Sequence, residues 1–368
     1  MKAAIFHSFG GPEVVAIEEV ARPEPAAGEV RLGVLAAALN HLDLWVRRGL
    51  PITTTMPHIG GSDVAGVVDV AGPGVDVTAA VGVAKGAGAG IATAAEVSGD
   101  RLAPRTLPGH VVVVNPSLWC GECEWCRRGE QPLCVRYRIL GEHTQGGLAE
   151  YVTVPAANLL PVPDGYPLER AAAAPLAFLS AWRGLVGRAE LQPGESILVT
   201  GASGGVATAA VQIARYIGAR VYAVTTSDHV VRVRALGADV VYDRTRVDFA
   251  QKLASDTGGR GVDVVLDSVG SATWAGVLGS VARLGRLVVY GATTGPKAQL
   301  DLRALYWKQV AIMGTTMATQ AEFAAVMRLV FEGVLTPVVD VVWPLSEARA
   351  AHQRLEAGEQ FGKIVLRP

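Results

Sequence analysis

From residue 196 onward the apolar positions switch between two periods. Ile197–Val199 is a short, wholly apolar run, as expected for a strand buried on both faces, and Val206, Ala210, Ile213 and Ile217 then recur at helical spacing. The rhythm continues. Strands are predicted at Arg220–Thr225, Asp239–Tyr242, Val262–Asp267 and Arg286–Tyr290, helices at Asp228–Leu236, Phe249–Ser255 and Thr273–Val281, and a sixth strand at Val310–Met313. Strands and helices in such regular alternation predict a doubly wound parallel sheet. The first seventy residues read differently. Ala3–His7, Val14–Val20 and Glu29–Ala38 are rich in strand formers and separated by Gly and Pro turns, which predicts a compact β domain.

The junction between the first parallel strand and its helix carries the first candidate chemistry. Gly201, Gly204 and Gly205, with Ser203 among them, allow a sharp turn, and side chains are absent where an anion must approach. The helix starting near Val206 turns its free N–H groups and positive dipole end toward that turn, the arrangement that holds a dinucleotide pyrophosphate. The spacing Gly201-x-x-Gly204-x-x-Ala207 also fits an ordinary strand-to-helix turn; the alternation on both sides is what favours a dinucleotide. At the end of the second strand, where NAD enzymes keep a ribose-binding carboxylate, Thr225, Thr226 and Ser227 offer hydroxyls instead. His229 or Arg232 would add positive charge. NADPH is therefore favoured, while Asp228, close enough to swing toward the ribose, leaves NADH open.

At 368 residues the chain is long enough for two domains, and 50% hydrophobic with 18% charged residues is an ordinary folded composition. A formal net charge of −1 with dispersed Lys and Arg gives no case for nucleic acid or an anionic membrane as partner, which leaves a small molecule. No secretory h-region and no apolar run of membrane-spanning length is present, so a cytoplasmic protein is expected.

All four cysteines lie in one segment. Cys120, Cys123, Cys126 and Cys134 are separated by two, two and seven residues, so a single loop can wrap four thiolates around one metal ion. A closed shell of this kind is structural, and zinc is the expected ion. Two disulfides are the competing reading and suit a cytoplasmic chain poorly. Arg127 and Arg128 either offset the charge of a four-thiolate zinc or are solvated surface residues.

Several landmarks occur together in order: Asn40-His-Leu-Asp43, Gly60-Gly-Ser-Asp63-Val-Ala-Gly, the cysteine segment, Gly147-Leu-Ala-Glu-Tyr-Val152, the turn at 201–207 and the ending Phe361-Gly-Lys363-Ile-Val-Leu366. With these the chain resembles the medium-chain dehydrogenase/reductase superfamily, over nearly its whole length. The resemblance implies an α/β protein with a GroES-like, β-rich catalytic domain plus a Rossmann-type doubly wound parallel sheet. The first would comprise 1–177 and 315–368, including a zinc lobe at 115–138; the second would be 178–314, with the active site in the cleft between them. One stretch departs from the family: about 78–109 reads as roughly 25 to 30 extra residues, either a surface loop or a stretch translated out of frame, and no function is assigned to it.

The resemblance also implies what is missing. The zinc alcohol dehydrogenases hold a catalytic zinc on Cys, His and Cys with a nearby Glu, and motif by motif these fall on Asn40, Ser62, Leu176 and Asp63. The hydroxyl and His of their proton relay fall on Leu42 and Trp45. Asn40 with Asp43, and Gly-Ser-Asp at 61–63, are instead similar to the zinc-free quinone and enoyl reductases. There a conjugated acceptor takes hydride, and hydrogen bonds stabilise the charge that builds on oxygen. By this likeness Asn40 orients the nicotinamide. His41 is a candidate proton donor, or a His that only bonds backbone; His143 is open to the same two readings, and Asp43 reads as a buried structural acceptor. Ser268, Val269, Gly291, Ala292, Thr293, Met313 and Lys363 would line the rest of the cofactor site, and two subunits would pair as a homodimer through the sheet edge at 300–313. The first reading is an NADPH-dependent reductase of activated C=C bonds or quinones; the alternatives are an alcohol dehydrogenase or carbonyl reductase, and a non-catalytic NADPH-binding protein.

Overall fold

A computed structural model describes residues 1–51, 54–76 and 108–368. Of the stretch at 78–109, only Pro108 and Gly109 fall among them. The chain divides into two compact units, Met1–Leu176 with Ala318–Pro368, and Ala177–Met317. No helix among the described residues is long and apolar enough to cross a membrane.

The first unit is β-rich. Its main sheet has seven strands, and the path Leu159–Pro161, Val111–Val114, Asp63–Ala71, Glu29–Ala38, Lys363–Arg367, Val339–Pro344 runs through six of them. Tyr151–Pro155 also pairs with Glu29–Ala38, and a three-stranded sheet places Lys2–Phe6 between Ala16–Glu19 and His58–Ile59. Alternate side chains from both sheets, among them Ile5, Leu32, Val64, Val112 and Leu366, fill one core together with Leu148 from the segment before Tyr151. The expected strand Val14–Val20 starts late, at Ala16. Pro12, which presets a helical φ and lacks an N–H, opens a short 3₁₀ turn over Pro12–Val14.

The second unit is a six-stranded parallel sheet flanked by helices. Its strands lie in the order Val240–Asp243, Arg220–Thr225, Ser196–Val199, Val262–Asp267, Val281–Val289, Ala311–Gly314. Numbered within the unit this is 3-2-1-4-5-6, the doubly wound dinucleotide-binding order, with the switch point beside Ser196–Val199. Two boundaries differ from the sequence reading. Helix formation after the second strand is split into a 3₁₀ turn, Ser227–His229, and Val230–Ala235. The fifth strand begins at Val281 rather than Arg286, through Leu284 at φ 60° and a register shift in its pairing.

Candidate active site and metal centre

In the first unit, three neighbouring strands bring one polar cluster together. Ala38 at the end of Glu29–Ala38 is paired on one side with Asp63 and on the other with Val365. The chain then runs through Leu39 into Asn40, the N-cap of helix His41–Arg48, while Lys363 opens the strand on the far side. Asn40, Asp63 and Lys363 are 7%, 0% and 4% exposed. The Lys363 Nζ lies 2.8 Å from Asp63 Oδ2 and also donates to Asn40 Oδ1, and Asn40 Nδ2 donates to the same Asp63 oxygen at 2.9 Å. Asp63 Oδ1 accepts the Leu176 N–H at 2.8 Å.

Asp43 ties this cluster to the backbone around it. Its carboxylate accepts the N–H of Asn40 at 2.7 Å, fixing the first turn of the helix, and that of Gly61 at 2.8 Å. Gly61 has φ 94°, and a Cβ there would lie 2.8 Å from the Leu148 N, so only glycine lets the segment Gly146–Leu148 lie against it. Burial raises the pKa of Asp43 to about 6, with the two N–H bonds and the Lys363 charge working the other way. Glu142 is raised to about 7 by burial and then by the Asp43 charge. The Ser62 hydroxyl is fully buried and has no partner among the described residues.

The histidines are less well placed for proton transfer. His41 packs edge-on against Trp45, with ring centroids 6.1 Å apart, and makes no hydrogen bond among the described residues. Burial, and then the nearby Arg48 charge, lowers its pKa below the ordinary imidazole value. His143 Nδ1 accepts the Ile139 N–H at 3.2 Å and sits 3.5 Å from the Glu142 carboxylate.

The cysteines converge as the spacing predicts. All four Sγ atoms lie within 4.8 Å of one another, with 3.5 Å between Cys123 and Cys126, 3.5 Å between Cys134 and Cys120, and 3.9 Å between Cys120 and Cys126. A tetrahedron with Zn–S bonds of about 2.3 Å has edges of about 3.8 Å, whereas a disulfide needs about 2.05 Å. The donor set fits zinc. Among the described residues it is the one group of three or more Cys, His, Asp or Glu side chains whose ligand atoms converge. Arg128 pairs with Glu124 and Arg127 donates to the Glu122 carbonyl, so neither is committed to the thiolates.

In the second unit the cofactor candidates gather at the carboxyl ends of the strands. Gly201 has φ 58°, the Gly204 N–H closes the turn on its carbonyl at 3.0 Å, and helix Gly205–Ile217 starts one residue before the expected Val206. The side-chain-free helix start, next to Ser203, leaves first-turn N–H groups that suit a pyrophosphate. Thr293 donates to the Ser268 carbonyl through both its N–H and its hydroxyl at 2.9 Å, and Gly291 packs on Ser268. Gly291 and Ala292 also border a cavity of about 550 Å³ whose apolar wall includes Trp274, Leu305 and Ile312. Val269 bonds Thr294 beside this group, whereas Met313 lies in the edge strand, paired with Val288.

Three placements add to the sequence reading. Thr225 is 3% exposed, and its hydroxyl is buried without a hydrogen-bond partner among the described residues. Thr226 caps the 3₁₀ turn, and the Ser227 hydroxyl donates to Asp243, which sits opposite Thr225 at the end of the next strand. A carboxylate thus stands beside the Thr225–Ser227 turn. Lys363 belongs to the first unit, where its recorded partners are Asn40 and Asp63. Sequence reasoning missed the Asp63–Lys363 pair and Asp243. A carboxylate heading the apolar run Asp63-Val-Ala-Gly-Val-Val was the one available hint of the first.

Comparison with known proteins agrees with this architecture. The family described as alcohol dehydrogenase GroES-like domain matches residues 26–164, and that described as zinc-binding dehydrogenase matches residues 236–366. An NAD-dependent alcohol dehydrogenase of Sulfolobus acidocaldarius is 31% identical over 100% of this chain and 99% of its own. An acryloyl-coenzyme A reductase of Metallosphaera sedula is 31% identical over 100% of this chain and 99% of its own. A solved NAD-dependent alcohol dehydrogenase superposes with a TM-score of 0.88 at 41% identity, covering 100% of both chains.

Proposed function

This chain belongs to the zinc-containing alcohol dehydrogenase-like branch of the medium-chain dehydrogenase/reductase superfamily, and from that premise we propose that it reduces an activated C=C bond or a quinone without a catalytic metal. The observation that carries the reading is the composition of the Asn40 cluster. Where a Lewis acid would need converging thiolate or imidazole donors, the buried groups are an amide, a carboxylate and an ammonium hydrogen-bonded to one another. The acryloyl-coenzyme A reductase relative, named for reduction of a conjugated C=C bond, supports it.

A bound nicotinamide dinucleotide supplies the hydride. The residues that would hold it are the turn Gly201–Gly205, which offers N–H groups to the pyrophosphate, and the Ser268–Thr293 strand ends. Asn40 contributes an amide hydrogen-bond donor of fixed orientation for the nicotinamide or for oxygen charge that develops on the acceptor. Asp43 holds the helix start that carries Asn40. The four cysteines would hold zinc away from any substrate, as a staple of their own loop. The Thr226 and Ser227 hydroxyls support NADPH, and Asp243 beside them supports NADH. A homodimer is part of the same reading.

The alcohol dehydrogenase relative favours a second reading, oxidation of alcohols or reduction of simple carbonyls. Rates of NADPH and NADH oxidation with an enone, a quinone and a simple aldehyde separate the two. The enone or quinone is expected to react faster, and brief exposure to a mild chelator to leave the rate unchanged. Faster aldehyde reduction that the chelator abolishes overturns the metal-free reading.

A further inference from the structure

Asn40 sits between two groups that can each bond only one way. The Lys363 ammonium has no acceptor lone pair and the ionised Asp63 carboxylate has no proton, so the amide must turn Oδ1 to the first and Nδ2 to the second. A flipped amide would set NH₂ against NH₃⁺ and carbonyl oxygen against carboxylate, losing both bonds. At 4% and 0% exposure the two charges do not exchange these contacts for water. A buried ion pair of this kind is seldom a net source of stability compared with apolar packing, so stability does not account for its place here.

We propose that Lys363 is a positioning residue for Asn40: anchored on Asp63, its ammonium locks the amide so that one Asn40 N–H bonds Asp63 and the other stays available as a donor. The capping box also brings the Asp43 N–H to the Asn40 side chain, which only its oxygen can accept, and among the described residues no second acceptor meets the Asn40 NH₂. An ammonium on Oδ1 also draws electron density through the amide and makes the remaining N–H a stronger donor. The proposal rests on the reading that Asn40 faces the nicotinamide or the acceptor, and it moves Lys363 from the cofactor lining to the group that sets the Asn40 geometry.

The chain has only three asparagines, Asn40, Asn115 and Asn158, so selective ¹⁵N-asparagine labelling gives three side-chain NH₂ pairs. Asn115 bonds Gln320 at 2.6 Å, and Asn158 bonds the Asn115 carbonyl at 2.7 Å, so those two pairs report on the fold away from Lys363. Wild-type protein is expected to show two well-separated Asn40 amide protons, one protected from hydrogen exchange and one not. Lys363→Met should collapse the separation and speed exchange of the protected proton at least about tenfold, with the other two pairs unmoved; Lys363→Arg should restore most of the wild-type pattern. Two equally fast-exchanging Asn40 protons in wild type, or an unchanged Asn40 pair in folded Lys363→Met, overturns the proposal. If Lys363→Met does not fold, the wild-type and Lys363→Arg spectra decide it. In turnover, Lys363→Met should lower kcat as much as Asn40→Ala, the two together being no worse than either. A chain that turns over no acceptor refutes the proposed function while the spectra still judge this proposal.

Discussion

Glu142 and Asp43 show at the residue level how a fold can hold carboxyl groups against their usual chemistry. Both are raised, to about 7 and about 6, mainly by burial, above unfolded values near 4. Between those limits the folded chain binds more protons than the unfolded one, so their contribution to stability is complete in acid and is lost as pH rises through about 6 to 7. The charged groups facing Asp43 are Lys363 and Asp63, and the His143 ring lies beside Glu142. Glu142→Gln removes one of the two titrations and the repulsion between them. Its denaturation midpoint is therefore expected to fall less between pH 5.5 and 8 than that of wild type, as measured by guanidinium unfolding followed by fluorescence. Parallel curves for the two proteins would show that Glu142 titrates normally. Neither shift is legible in the sequence, because Glu142 and Asp43 are about a hundred positions apart and each looks like an ordinary acid until both are buried.

Local elements were far more legible, because their causes are local. The cysteine segment carries its own geometry: Cys123 caps a single helical turn, Glu124–Arg127, which brings Cys126 back beside it. Cys123→Ser opens that shell, so zinc content, expected at about one ion per chain in wild type, should fall. The expected cost is mainly in stability, since removing a structural metal site destabilises the loop it closes. Metal analysis with thermal unfolding checks this; a well-folded variant that keeps its zinc, or a wild type with two ions per chain, contradicts it. The parallel strands were legible for a similar reason, since wholly apolar runs bounded by helical periods admit few other readings. Boundaries failed where a single residue overrode the pattern. Pro12 delays one strand, and the Ser227–His229 turn splits off the start of a helix.

Whole-molecule relations depend on pairs that no window of sequence contains. Lys363–Arg367 pairs with Glu29–Ala38 across more than three hundred positions, and periodicity alone gives no sign of it; only the likeness to a family did. The edge of the parallel sheet is a case where local pattern and long-range pairing meet. Ala311–Gly314 is the last strand, bonded among the described residues to Val281–Val289 on one side only, so its outer N–H and C=O groups form a ready template for another strand. Beside it in the chain, helix Leu302–Lys308 presents Leu302, Tyr306 and Trp307 at 65%, 62% and 69% exposure. Large apolar side chains grouped next to an open edge suit a second copy of this chain, because a two-fold axis can pair the edge with itself and bury the same helix face from both sides. The protein is therefore expected to sediment as a dimer at micromolar concentration. Tyr306→Lys with Trp307→Lys places two like charges on each side of that axis and should yield a monomer with its cofactor turn intact, read out by unchanged binding of NADPH or NADH. A wild-type monomer, or a double variant that still sediments as a dimer, would move the contact elsewhere.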